Sequence, residues 1–191
     1  MFNLVMFGPP GAGKGTQSLR IAQRFQLKHI STGDILREEV RRESLCGKLA
    51  RDYMDKGMLV PDEILVNILR QVVEENRYVN GFVFDGFPRT LVQAEELDQM
   101  LEREKLMIKL VLELEVNEDE LVNRLVKRAT DQGRSDDKPE VIRRRLETYH
   151  NQTEPLLHYF RNQGKLVTVH GVGTIDHISD MLYREIEKFH P

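Results

Sequence analysis

The 191-residue sequence predicts an α/β fold of three layers around a five-stranded parallel sheet. Three observations lead there. Short apolar runs alternate with longer stretches whose apolar residues recur at helical spacing. The first apolar run passes directly into a glycine-rich loop and then a helix. A later apolar run ends in an acid, Asp85, where a ligand would sit at the carboxyl ends of the strands.

Residues 2–7 are apolar almost throughout, as a strand buried on both faces requires. The next pattern is helical, with Leu19, Ile21, Ala22 and Phe25 apolar. Lys28, His29 and Ile30 form a weak second strand. Ser31-Thr32-Gly33-Asp34 is a helix-start signature ahead of Ile35, Leu36 and Val40. A helix over 45–56 ends at Gly57, and Pro61 opens another with Asp62 and Glu63 in its first turn. Residues 81–85 are the third strand, and 86–89 a loop. A helix follows over 90–105, and a fourth strand over 107–116. Asn117 with Glu120 resembles a capping box, starting a helix to about Ala129. Polar residues 130–137 read as a loop containing Gly133. Pro139 opens a long helix that Pro155 should kink or interrupt. The fifth strand spans 166–170, and Thr174 or Asp176 starts the last helix.

Bulk properties narrow the function. The length suits one domain with small insertions. A net charge of −3 argues against bulk nucleic-acid binding. One cysteine, Cys46, excludes an intrachain disulfide and a four-cysteine zinc site, and fits a reducing compartment. Neither a signal peptide nor a membrane span is predicted. Cys46 reads as an ordinary helix residue, and His29, His150 and His170 as structural or surface residues.

Residues 8–16 read Gly-Pro-Pro-Gly-Ala-Gly-Lys-Gly-Thr. Strand, glycine-rich loop and helix, with Lys14 at the junction, is the setting of a phosphate-binding P-loop. Glycines let backbone N–H groups turn inward, and the helix start adds its positive dipole end. The strict pattern has Ser or Thr directly after the lysine; here Gly15 intervenes before Thr16. The bland alternative is an ordinary glycine-rich turn. Asp85 then suits the acid that holds Mg2+, directly or through water, although a capping role would also place an Asp there.

Five stretches together resemble the nucleoside monophosphate kinases, and within them adenylate kinase. They are residues 8–16, Ser31-Thr32-Gly33-Asp34, Leu59-Val60-Pro61-Asp62, Asp85-Gly86-Phe87-Pro88-Arg89 and Gly133-Arg134-Ser135-Asp136-Asp137. They occur in the family's order and span essentially the whole chain. The resemblance implies a core of 1–30, 61–126 and 138–191, an AMP-binding insertion at 31–60 and a short lid at 127–137. It implies ATP contacts from Gly11, Ala12, Gly13, Lys14, Gly15, Thr16, Arg124, Arg128 and Gly173. AMP would meet Thr32, Arg37, the backbone of Met58, Leu59 and Val60, then Gly86, Phe87, Pro88, Arg89, Gln93, Arg134 and Arg145. Lys14, Arg89, Arg128, Arg134 and Arg145 would do the catalytic work, with Mg2+ near Asp85. The lid is too short for a zinc knuckle, so no structural zinc is expected.

The chemistry fits those residue types. Phosphoryl transfer needs alignment and charge stabilisation, which arginine supplies with a permanent, bidentate charge. The acceptor phosphate is already ionised, so no catalytic base is expected. Arg143-Arg144-Arg145 could be only a solvated helix face; the resemblance selects Arg145. Gln93 could merely complete a capping box with Thr90, and Asp136 and Asp137 could be helix caps. The resemblance instead pairs these two acids with lid arginines when the lid closes. It also separates AMP from pyrimidine monophosphates, since kinases of the latter tend to have Ala in place of Thr32. The expected activity is Mg-ATP plus AMP giving two ADP, in a cytoplasmic monomer with no nucleic-acid or membrane partner. A UMP/CMP kinase or a non-catalytic P-loop switch are the rival readings.

Overall fold

The computed structural model describes residues 1–132 and 134–190. Gly133, expected in the polar loop, and Pro191, at the end of the expected core, lie outside the described residues. Five strands alternate with helices as the apolar runs predict: β1 Asn3–Phe7, α1 Lys14–Phe25, β2 Lys28–Ser31, α2 Thr32–Arg41, α3 Leu45–Met54, α4 Asp62–Glu75, β3 Phe82–Asp85, α5 Leu91–Arg103, β4 Ile108–Glu115, α6 Glu118–Gln132, α7 Pro139–Thr148, α8 Leu156–Asn162, β5 Leu166–His170 and α9 Ile175–Glu187. All pairings are parallel, in the order β2-β3-β1-β4-β5. The chain leaves β1 to build one side of the sheet and later the other, so a crevice opens at the carboxyl end of β1.

Side chains alternate across each strand, and the alternation sets the layers. Val5, Phe7, Phe82, Phe84 and Val111 point to one face, where Leu69 of α4, Leu97 of α5 and Phe160 of α8 cover them. Leu4, Met6, Val83, Leu110 and Leu112 point to the other, under Ile21 of α1, Leu125 of α6 and Leu182 of α9. Every residue of β1 and β3 is buried, which is why both runs are so apolar.

Helix starts follow their side-chain signals. Ser31 Oγ accepts from the Asp34 N–H at 3.2 Å, Thr90 Oγ1 from Gln93 at 3.2 Å and Asn117 Oδ1 from Glu120 at 2.9 Å. Thr174, rather than Asp176, caps α9: its Oγ1 accepts from the His177 N–H at 3.2 Å.

Two segments differ from the expectation. Residues 130–132 and 135–137, expected in a loop, are helical. α6 continues to Gln132 because nothing in Thr130-Asp131-Gln132 breaks a helix, and the Thr130 hydroxyl bonds back to the Val126 carbonyl at 3.4 Å. A 3-10 turn then spans Ser135–Asp137. The interruption near Pro155 takes a specific form. A π-turn, Tyr149–Thr153, ends α7, with the Glu154 N–H bonded to the Tyr149 carbonyl at 2.8 Å. Pro155 has no N–H to continue the ladder.

α2 and α3 cross closely at Gly47, where an added Cβ would lie 2.0 Å from the Glu39 carbonyl oxygen. Backbone cannot yield as a flexible side chain could. We therefore expect Gly47→Ala to lower stability by roughly 1–3 kcal/mol. Urea unfolding checks this; a midpoint equal to that of the parent protein would refute it.

Candidate active site

The P-loop is shaped for an anion. Gly8, Gly11 and Gly13 have φ of 136°, 87° and 95°, which bend the chain from β1 into α1. No side chain caps α1 and its first turn holds no acid, so the free N–H groups and positive dipole end face the loop unopposed. The Lys14 ammonium donates to the Gly8 carbonyl at 2.7 Å and the Pro9 carbonyl at 2.9 Å, gathering the loop around it. Burial pushes this ammonium down to about 7; Asp85 opposes the fall, and Arg89, Arg145 and Arg128 add to it.

Asp85 ends β3 beside the start of α1. Its Oδ2 lies 3.5 Å from where a Cβ on Gly15 would be and 3.6 Å from His29 Nε2. Among the described residues no group of three or more His, Cys, Asp or Glu side chains could hold a metal ion. A cation here would take the Asp85 carboxylate and complete its shell with water and phosphate oxygens. That donor set fits Mg2+, which binds through one or two carboxylates and keeps several waters.

A cleft of about 950 Å³, open to solvent, extends from Lys14 between α2 and α7. It brings together Thr32, Arg37, Met58, Leu59, Val60, Gly86, Pro88, Arg89 and Arg145 from the expected AMP set. The Thr32 hydroxyl donates to the Gly86 carbonyl at 2.9 Å, tying α2 to the 86–89 loop. Arg89 Nε donates to the same carbonyl at 2.7 Å. Arg37 pairs with Asp34 at 2.6 Å. Two expected residues lie back from the wall. Phe87 turns into the core, and Gln93 is fully buried. The Gln93 amide donates to Asp62 at 2.7 Å and accepts from the Arg89 N–H at 2.7 Å.

The expected ATP set gathers on the other side of the P-loop. Arg124 donates to the Gly171 carbonyl at 3.0 Å and the Ala12 carbonyl at 3.4 Å, and is held by Glu120 at 2.7 Å. Gly173, φ 135°, lies in the link from β5 to α9. Gly11, Gly13 and Thr16 stay with the loop and the first turn of α1.

Three arginines stand between the two groups. Arg128 grips Asp137 through two bonds of 2.6 and 2.7 Å. Arg145 reaches Asp137 at 2.7 Å and Asp136 at 2.8 Å. Arg134 sits near Arg37 and Arg128; burial and these two charges lower its pKa. Burial and Arg145 push the Arg89 guanidinium down to about 10, so it stays charged at neutral pH. Burial alone would raise the Asp137 pKa, but the bonds from Arg128 and the charge of Arg145 hold it below the usual carboxylate range. The two acids are therefore partners of these arginines rather than helix caps.

Sequence reasoning missed four residues. Asp62 anchors Thr90 and Gln93. Thr148, Tyr149 and Thr153 line the cleft from the end of α7 and the π-turn. The Thr148 hydroxyl donates to the Gly57 carbonyl at 3.2 Å. Gly57, φ 69°, approaches α7 so closely that a Cβ would lie 3.2 Å from Arg145 Cγ. No spacing along the chain signals these long-range meetings.

A phosphate seated on Lys14 selects its charged form. At about pH 8 free Lys14 is mostly neutral, so binding should take up protons; below about pH 6 it is charged in both states and uptake should vanish. Calorimetry of tripolyphosphate binding in two buffers of different ionisation enthalpy measures this. Uptake is expected at the higher pH and absent in Lys14→Met.

Comparison with known proteins agrees with this geometry. The family model described as adenylate kinase matches residues 6–165. A relative named adenylate kinase from Phocaeicola vulgatus is 46% identical over 188 residues, 98% of this chain and 100% of that one. One of the same name from Parabacteroides distasonis is 48% identical over 178 residues, 93% and 94% of the two chains. Another, from Streptomyces avermitilis, is 41% identical over 214 residues, 95% and 97% of the two. With its P-loop, its arginine-lined cleft and near full-length likeness to these proteins, the chain belongs to the adenylate kinase family.

Proposed function

We propose that this chain transfers the terminal phosphoryl group of ATP to AMP, reversibly, giving two ADP. The observation that carries this reading is the convergence of Lys14, Arg89 and Arg145 between the P-loop and a second cleft lined by Thr32, Arg37 and Val60. A switch needs one nucleotide pocket; this reading uses two, the P-loop and the cleft beside it, with these cations between them.

In this reading ATP lays its phosphates on the α1 N-terminus and Lys14, with its base toward Arg124 and Gly173. AMP occupies the second cleft, its phosphate between Arg37 and Arg89. A phosphate oxygen of AMP attacks the γ-phosphorus. The new O–P bond forms as the bond to the β,γ-bridging oxygen breaks, and that oxygen leaves with its charge on ADP. The attacking oxygen is already ionised, so no side chain need remove a proton. Arg89, Arg128, Arg134 and Arg145 supply positive charge where the transferring group's negative charge spreads. Mg2+, held near Asp85, would neutralise charge on the ATP phosphates. Arg128 and Arg145 are bonded to Asp136 and Asp137, which orients both guanidinium groups toward the place of the transferring group. A cytoplasmic monomer is part of the same reading.

Adenine selection falls to Thr32 and Gln93. Because Gln93 is engaged by Asp62 and Arg89, reading the base edge requires the amide to exchange or share those partners.

A coupled assay with Mg-ATP and, separately, AMP, CMP, UMP and GMP tests this. We expect fast ADP formation with AMP and strong inhibition by diadenosine pentaphosphate. Preference for CMP or UMP would overturn the base assignment, and no transfer at all would overturn the reading. Arg89→Ala should lose about 10²- to 10³-fold in kcat while folding normally. An unchanged kcat would remove Arg89 from the transition state.

A further inference from the structure

We propose that Thr153 is a positioning residue for Arg89, fixing from the π-turn the loop that delivers this arginine to the cleft. The inference rests on the phosphotransfer reading for its kinetic consequence, though not for its geometry.

Arg89 follows a short loop and has no regular secondary structure of its own. Its placement therefore depends on what its backbone and side chain bond. The N–H donates to Gln93 Oε1 at 2.7 Å, and Nε donates to the Gly86 carbonyl at 2.7 Å. Both partners lie within four residues in sequence and move with the loop and the start of α5. The Arg89 carbonyl is different. It accepts from Thr153 Oγ1 at 2.9 Å, 64 residues away on the opposite wall. This bond ties the loop to the α7 side of the cleft.

A structural alternative for Thr153 is capping of α8. The geometry counts against it. Pro155 occupies the N-cap position of α8, and no side chain caps that helix. The Thr153 hydroxyl instead crosses to Arg89, and the residue is 6% exposed. The π-turn accounts for its aim. One extra residue in the turn rotates the chain beyond it relative to the α7 track, and such turns recur at functional sites.

The same segment carries Arg145. α7 also holds the Gly57 carbonyl through Thr148. One continuous stretch thus sets Arg145 directly, Gly57 through Thr148 and Arg89 through Thr153. Two guanidinium groups that act on one pair of phosphates take their relative position from it. Thr153→Val keeps the volume and branching but removes the donor, leaving the carbonyl unpartnered at nearly the same packing.

The experiment compares the parent protein with T153V and T153S. Kinetics with Mg-ATP and AMP are measured alongside ¹⁵N relaxation of the Arg89 Nε–H. In T153V we expect kcat to fall about tenfold, since small misplacement of a charge-stabilising group is costly. The KM for AMP should rise, with that for ATP within about twofold, because Arg89 faces the AMP phosphate alone before transfer. The Arg89 Nε–H should become more mobile. T153S restores the hydroxyl and should restore both readouts. A T153V protein with parental kcat and KM for AMP overturns the proposal, as does a loss that serine fails to rescue. A loss confined to kcat that follows a fall in thermal stability also overturns it, because a structural role would act that way. If T153V does not fold, T153A removes the same donor and carries the same comparison. Should the parent protein itself form no ADP, the phosphotransfer reading fails. The relaxation measurement then decides Thr153 alone: unchanged Arg89 mobility in T153V overturns the proposal.

Discussion

Mutual repulsion among half-buried cations is the constraint on which this site depends. Lys14, Arg89 and Arg145 converge where burial already disfavours charge; Arg89 and Arg145 further lower the pKa of Lys14, and Arg145 that of Arg89. Such a cluster is costly unless anions face it. Asp85, Asp136 and Asp137 supply some of that charge. Polyphosphate would supply more, and at the oxygens where charge develops during transfer. The fold thus holds cations close together against their repulsion, and this is the preorganisation that phosphoryl transfer uses.

Rigid elements hold those charges in place. Lys14 begins a helix that springs from the central strand. Asp85 ends the neighbouring strand, in register with Met6. Arg145 projects from α7, which Gly57 approaches without a side chain between them. Arg89, on a loop, is the exception, and it is bonded from three directions. Arg128 and Arg145 are held in turn by Asp136 and Asp137.

Much of this was legible in the chain. The apolar runs at 2–7, 81–85, 107–116 and 166–170 are strands because a parallel sheet covered on both faces has no polar side. Ser31, Thr90 and Asn117 are helix starts because their side chains bond the next N–H groups locally. The P-loop was visible because glycine, lysine and helix must be contiguous to surround a phosphate. Less legible were residues 130–132 and 135–137, where polar composition suggested a loop but no residue forbade helix. Thr148 and Thr153 gave no signal, and the 59–62 stretch gave none of the bonds of Asp62 to Thr90 and Gln93, because these partners lie far away in the chain.

The sequence by itself determined the strand and helix order, the P-loop with its lysine and the family to which the chain is related, since each depends on contacts between near neighbours or on contiguous motifs. Only the tertiary structure decided which arginines meet which acids, that Gln93 is held by Asp62 and Arg89, and that a π-turn hydroxyl reaches the Arg89 carbonyl. Those contacts join residues brought together by the sheet order and by one extra residue in a helical turn. The sheet order is encoded in no local stretch, and Pro155 marks the interruption of the helix without saying where the turn aims its hydroxyl.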